Sequence, residues 1–278
     1  RFIALCVFAK ALITLKIVVP TLGSLDWCCI GCKILNLYNL RYCNMKKTVL
    51  LFLISFLFLS FSNFEKTSKT IHVFVALCDN ENQGIVTVPS KLGNGQDPKS
   101  NLYWGALYGV KTHFKNSKDW TLLRTLKSNN PKILERVLFK QKILNTYLLA
   151  DAYNGKYIKQ TTIDFMEATA GRNAQSVSYN GNNLNFGGAS QLLAYVGHDG
   201  LMEFNVEGDF TPINKNKRDA IVLACVSKSF FKPYFEISKV NPLVWTTGLM
   251  APDAYTLKAA IDGWVLNETN LQIRERAA

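Results

Sequence analysis

Histidine is scarce in this chain: three residues in 278. Cysteine is scarce where it would matter. Five of the seven precede Met45, and only Cys78 and Cys225 follow. The early cluster "CCIGC" (Cys28, Cys29, Cys32) lacks a second ligand pair at zinc-ribbon spacing, which excludes that kind of metal site. No phosphate loop is present, because no Gly-Lys-Ser/Thr follows the run "NGNNLNFGG". "DNENQG" lacks the spacing and the terminal Glu of an EF-hand. Neither an internal repeat nor a low-complexity segment occurs after residue 62. No metal or cofactor is expected.

The first methionine, Met45, opens "MKKTVLLFLISFLFLSFSNF". Two lysines, an apolar run from Val49 to Phe61 and then small polar residues follow the order of a secretory signal peptide. The run falls short of the roughly 20 apolar residues that span a bilayer. Residues 45–62 are therefore expected to be a leader, residues 1–44 upstream read-through, and 63–278 one exported domain, periplasmic or secreted. Residues 3–20 are a second candidate for a membrane helix, interrupted by Lys10 and Lys16. No stable membrane insertion is expected once the leader is removed.

The formal charge of +12 shrinks with the leader, since residues 63–278 hold 25 basic and 19 acidic residues, a net +6. Their lysines are scattered rather than interleaved with aromatics, so no nucleic-acid partner is expected.

Beyond residue 69 short apolar runs alternate with helical patterns. "IHVFVALCDN" reads as a buried strand ending in a turn, and residues 81–100 as a long Gly/Pro/Asn-rich loop. "NLYWGALYGVKTHF" has helical spacing, with Asn101 placed to cap it. "DWTLLRTL" reads as a strand. "PKILERVLFKQKILNTYLLADAYNG" is either two strands with a tight turn or a helix and a strand. "KYIKQTTIDFMEATAG" is an amphipathic helix closed by Gly171. "SVSYNGNNLNFGGAS" is a loop or hairpin. The strands "QLLAYVG", "DAIVLAC" and "PLVWTTG" come next, then a helix with Pro252 in its first turn. Strands without strong alternation, separated by helices, predict an α/β domain: a mainly parallel sheet flanked by helices on both faces.

In such sheets ligands bind beyond the carboxyl ends of the strands. Three groups fall there: Cys78-Asp79-Asn80, His198-Asp199-Gly200 and Cys225. Strand ends carrying His198 and Cys225 suit a nucleophile and its base if the strands are neighbours. Asp79 and Asn80 are candidates for a substrate pocket, Asp79 as selector of a basic side chain. A Cys78–Cys225 disulfide is the alternative use of both thiols.

The pieces "AYVGHDG" and "IVLACVS", with the later "WTTGLMAPDAYTL", resemble the caspase–hemoglobinase-fold cysteine peptidases (caspases, legumains, gingipains). That resemblance implies a three-layer sandwich and a peptide or protein substrate. It implies a His198/Cys225 dyad, and an oxyanion hole from the amides of Gly200 and Cys225. In that fold the first strand and the cysteine strand flank the histidine strand, which would hold Cys78 and Cys225 too far apart to bridge. Asp199 departs from the family's direct His-Gly, and Leu223-Ala224 from its usual residues before the cysteine. A non-catalytic exported binding protein on the same scaffold is the alternative function.

Overall fold

Apolar runs that do not alternate become the middle of the sheet. The computed structural model describes residues 68–278, which fall in one unit, Lys66–Ala278. The expected leader, the read-through and the early cysteine cluster lie outside the described residues.

In chain order the strands are β1 (Lys69–Ala76), β2 (Trp120–Leu126), β3 (Ile133–Gln141), β4 (Thr146–Tyr153), β5 (Gln175–Tyr179), β6 (Asn182–Phe186), β7 (Leu192–Val196), β8 (Asp219–Leu223) and β9 (Asn241–Val244). The helices are α1 (Val110–Asn116), α2 (Ile158–Thr169), α3 (Ser227–Ser238), α4 (Ala254–Val265) and α5 (Asn270–Ala277).

Seven strands form one sheet in the order β2-β3-β4-β1-β7-β8-β9. From β4 to β9 the pairing is parallel. The β2–β3 and β3–β4 pairs are antiparallel, so the sheet is mixed rather than uniformly parallel. The reason is local: the turn between Gln141 and Thr146 is too short for the crossover that a parallel pair needs. Of the two readings of 131–155, the strand pair is the one formed.

β4 and β7 are buried along their whole length and β1 at all but its first residue, as strands covered on both sides must be. Alternate residues of β1 enter different cores. Ile71, Val73 and Val75 pack with Phe114 of α1 and with Leu257, Ile261 and Trp264 of α4. Phe74 and Ala76 pack with Phe165 of α2 and with Phe231 and Phe235 of α3. Each such large apolar side chain contributes about 1.5–3 kcal/mol by leaving water.

Two local expectations change, and one open alternative resolves. The helical pattern over 101–114 forms a helix only from Val110. Gly105 and Gly109 lie so close to the backbones of Lys99 and Trp104 that turns replace the first part. Pro252 precedes α4, whose N-cap is Asp253, instead of sitting in its first turn. "SVSYNGNNLNF" is a true hairpin, β5–β6, turning at Asn180-Gly181 with both φ positive, as a tight two-residue turn requires. Among the described residues no helix is long and apolar enough to cross a membrane.

Candidate active site

The register of the central strands decides what meets at the sheet edge. β7 and β8 pair in parallel, with Val196 opposite Leu223, and the Gly197 amide adds a further bond to the Leu223 carbonyl at 3.2 Å. The chain positions that follow, His198 and Cys225, leave the sheet together at its carboxyl edge. Gly197 makes the exit tight. Its φ is +152°, and an added Cβ would meet the Ala76 carbonyl oxygen of β1 at 2.9 Å.

His198 and Cys225 line one cavity of about 490 Å³. Two larger cavities, of about 650 and 690 Å³, hold neither a histidine nor a cysteine. Among the described residues no group of three or more His, Cys, Asp and Glu is arranged to hold a metal ion.

His198 is held by residues within one turn of it. Its Nε2 meets Glu203 Oε1 at 2.6 Å. The same oxygen accepts the Gly84 amide at 2.7 Å. An ionised carboxylate only accepts, so in a neutral imidazole the proton sits on Nε2 and the lone pair on Nδ1. His198 Nδ1 is not hydrogen-bonded among the described residues. Tyr195 donates its hydroxyl to the His198 carbonyl at 2.9 Å, fixing the backbone from beneath.

Asp199, the residue that interrupts the expected His-Gly, has a local task. Its Oδ1 accepts the Leu201 amide at 3.1 Å and caps the 3-10 turn Gly200–Met202. That turn brings Glu203 back to His198. The carboxyl of Asp199 is fully buried and its Oδ2 has no partner. Burial pushes its pKa up to about 7.

Cys225 is half-exposed and its thiol touches the loop before α4. Sγ donates to the Met250 carbonyl at 3.4 Å, and the Met250 amide approaches Sγ at 3.5 Å. Thr246 braces the chain on the other side: its hydroxyl bonds the Ala224 carbonyl and meets Ser227 Oγ at 3.1 Å. Val226, next to the thiol, has φ +50°. A β-branched residue in the left-handed region is an outlier costing on the order of 1–3 kcal/mol, a strain that clusters at functional sites. Here the bonds from the Val226 amide to Gly248 and from the Lys228 amide to Thr246, each 2.9 Å, enforce it.

Cys78 and Cys225 are both free. β7 stands between their strands, as a disulfide does not allow. Burial pushes the Cys78 thiol up, against a hydrogen bond from Tyr103 that lowers it. Burial also pushes the Tyr103 phenol up, with Cys78 adding to the effect. Cys78 is buried, so it is the less accessible of the two thiols.

The remaining expected residues stand elsewhere. Asp79 and Asn80 do not line this cavity. Asp79 is 2% exposed and accepts the amides of Glu81 and Asn82 and the side-chain amides of Asn82 and Gln96. Asn80 bonds the Val88 backbone at 3.1 and 2.8 Å. Together they shape the loop whose residues 84–88 form one wall. Asp79 therefore offers no free charge to a basic side chain. Gly200 is also turned away: its amide donates to the His198 carbonyl at 3.2 Å, and it is not part of the wall.

Sequence reasoning missed Glu203 and Thr246. The signal for the first was present as Asp199 at a turn start followed four residues later by a carboxylate. Thr246 carried no signal, because only the packing of the 245–250 loop brings it beneath Cys225. No protein-family model, curated protein or solved structure matches the chain.

Proposed function

We propose that this domain hydrolyses peptide bonds with Cys225 as nucleophile and His198 as base, on a caspase–hemoglobinase-like three-layer sandwich. The observation that carries the reading is that His198, backed by Glu203, and Cys225 line one cavity at the ends of adjacent parallel strands. The order β1-β7-β8, with the first strand and the cysteine strand flanking the histidine strand, supports the fold part of the reading. Export rests on the leader-like sequence at 45–62.

On this reading Sγ attacks the scissile carbonyl carbon and its proton passes to His198 Nδ1. The oxyanion is received by the Cys225 amide; Gly200 would have to give up its bond to His198 to take part. Collapse breaks the C–N bond, and His198 returns the proton to the departing amine. Water then adds to the thioester, gives a proton to His198, and the C–S bond breaks to release the acid and the thiol. Glu203 keeps the imidazole in the tautomer that both halves use.

A second reading is favoured by one contact. The thiol engages both backbone groups of Met250, as it would in a binding protein that never frees it. Labelling at Cys225 in preference to Cys78 does not separate the readings, because Cys78 is buried in either. Dependence on His198 does. Under the hydrolase reading, replacing Cys225 by Ala abolishes hydrolysis of a peptide library, and His198→Ala slows labelling of Cys225 by a peptidyl ketone about 100-fold or more. Equal labelling with and without His198, from a folded variant, leaves the binding protein.

A further inference from the structure

We infer that the cavity beside Cys225 takes an uncharged apolar side chain, that of the residue whose carbonyl Cys225 attacks; this rests on the hydrolase reading above. No Asp, Glu, Lys or Arg lines the wall. Ile85, Val88 and Leu102 line it together with Leu249, Met250 and Pro252. The polar groups nearest the wall are already engaged. The Tyr103 phenol interacts electrostatically with the Cys78 thiol, and Glu203 accepts from His198 and Gly84. Asp79, a strand-end carboxylate that would suit a basic side chain, is consumed by four donors behind the loop. A charged side chain entering here would lose part of its water and find no unengaged counter-charge among the lining residues.

The mouth points the same way. Val86 is 91% exposed and Leu249 81% exposed, and they come from two separate loops to one opening. Met202, on the turn after His198, adds a third exposed apolar group. Large apolar side chains converging on the rim of a reactive group mark a surface that a ligand covers. The volume of about 490 Å³ lies within the usual range of about 300–1,000 Å³ for ligand sites and has room for a side chain the size of Leu or Phe.

The experiment uses peptidyl acyloxymethyl ketones that differ only in the residue bearing the ketone: Leu, Phe, Asn, Asp or Arg. Second-order rates of Cys225 modification are followed by mass spectrometry on the wild-type chain and on His198→Ala. Leu or Phe is expected to exceed Asp and Arg by about tenfold or more, the scale of discrimination by an apolar pocket. A fastest Asp, Asn or Arg probe, still dependent on His198, overturns the apolar pocket and leaves the dyad standing. No His198-dependent labelling with any probe removes the dyad and this inference with it. A second measurement needs no catalysis: the Cys225→Ala protein binds the matching capped peptide amides, with Leu or Phe tightest. Val88→Asp, which leaves the backbone bonds of Val88 to Asn80 in place, is expected to shift preference toward Arg by about tenfold. An unchanged preference in a variant that still reacts with iodoacetamide at Cys225 also overturns the assignment.

Discussion

Among the described residues two histidine–carboxylate pairs of nearly equal length stand in opposite surroundings. His72, inside β1, meets Asp151 of β4 at 2.9 Å; His198, beyond β7, meets Glu203 at 2.6 Å. In the first pair everything is sealed. Both residues are 0% exposed, His72 Nδ1 accepts the Gly187 amide at 3.1 Å, and Arg136 adds two bonds of 2.6 Å to Asp151. Burial alone would raise the Asp151 carboxyl. The Arg136 bonds and His72 outweigh it and hold the carboxyl below the usual range. In the second pair Nδ1 has no hydrogen-bond partner among the described residues, and His198 lines a cavity that also holds a thiol. A histidine becomes available for chemistry when its hydrogen-bond account is left open on one side.

Breaking the sealed pair should have the largest effect. Asp151→Ala strands Arg136 and His72 in the core and is expected to cost about 3–5 kcal/mol, read as a fall in the urea midpoint. A loss below about 1 kcal/mol would mean that the sealed pair contributes no more than an exposed one.

The next effect concerns Asp199, beside the open pair. Its folded pKa of about 7 lies above the unfolded value, 3.8. Between those limits the unfolded chain releases a proton that the folded one keeps, so stability falls as pH rises from about 4 to about 7. At about 1.4 kcal/mol per unit the fall is roughly 2–4 kcal/mol. Asp199→Asn should flatten it. Urea midpoints at pH 5 and pH 8 that differ as much in the variant as in the wild type would count against a buried neutral carboxyl.

The smallest effect sharpens the contrast. Glu203 is 36% exposed, so Glu203→Ala should change stability by less than about 1 kcal/mol. It should nevertheless slow His198-dependent labelling of Cys225 by about tenfold or more, with partial recovery in Glu203→Gln, which still accepts from Nε2. A large stability loss with unchanged labelling would make this pair structural like the other.

Much of this was legible beforehand. The unbroken apolar runs at β1, β4, β7 and β8 announced buried strands, and the Gly171 stop ended α2 where expected. His198 and Cys225 stood out as strand-end residues, and the structure brings both to one wall. Their supports were not legible. Glu203 reaches His198 only because Asp199 caps a turn, and Asp79 looked like a free charge because its four donors come from a loop without periodicity.

The sequence by itself determined which segments are strands and which reactive residues end them, because burial writes itself into local hydrophobic pattern. Only the tertiary structure decided who neighbours whom. It placed β7 between β1 and β8, keeping two thiols apart, and it folded the 84–88 and 245–252 loops over Cys225. Those choices depend on packing and hydrogen bonds between residues far apart in the chain, which a one-dimensional pattern does not record.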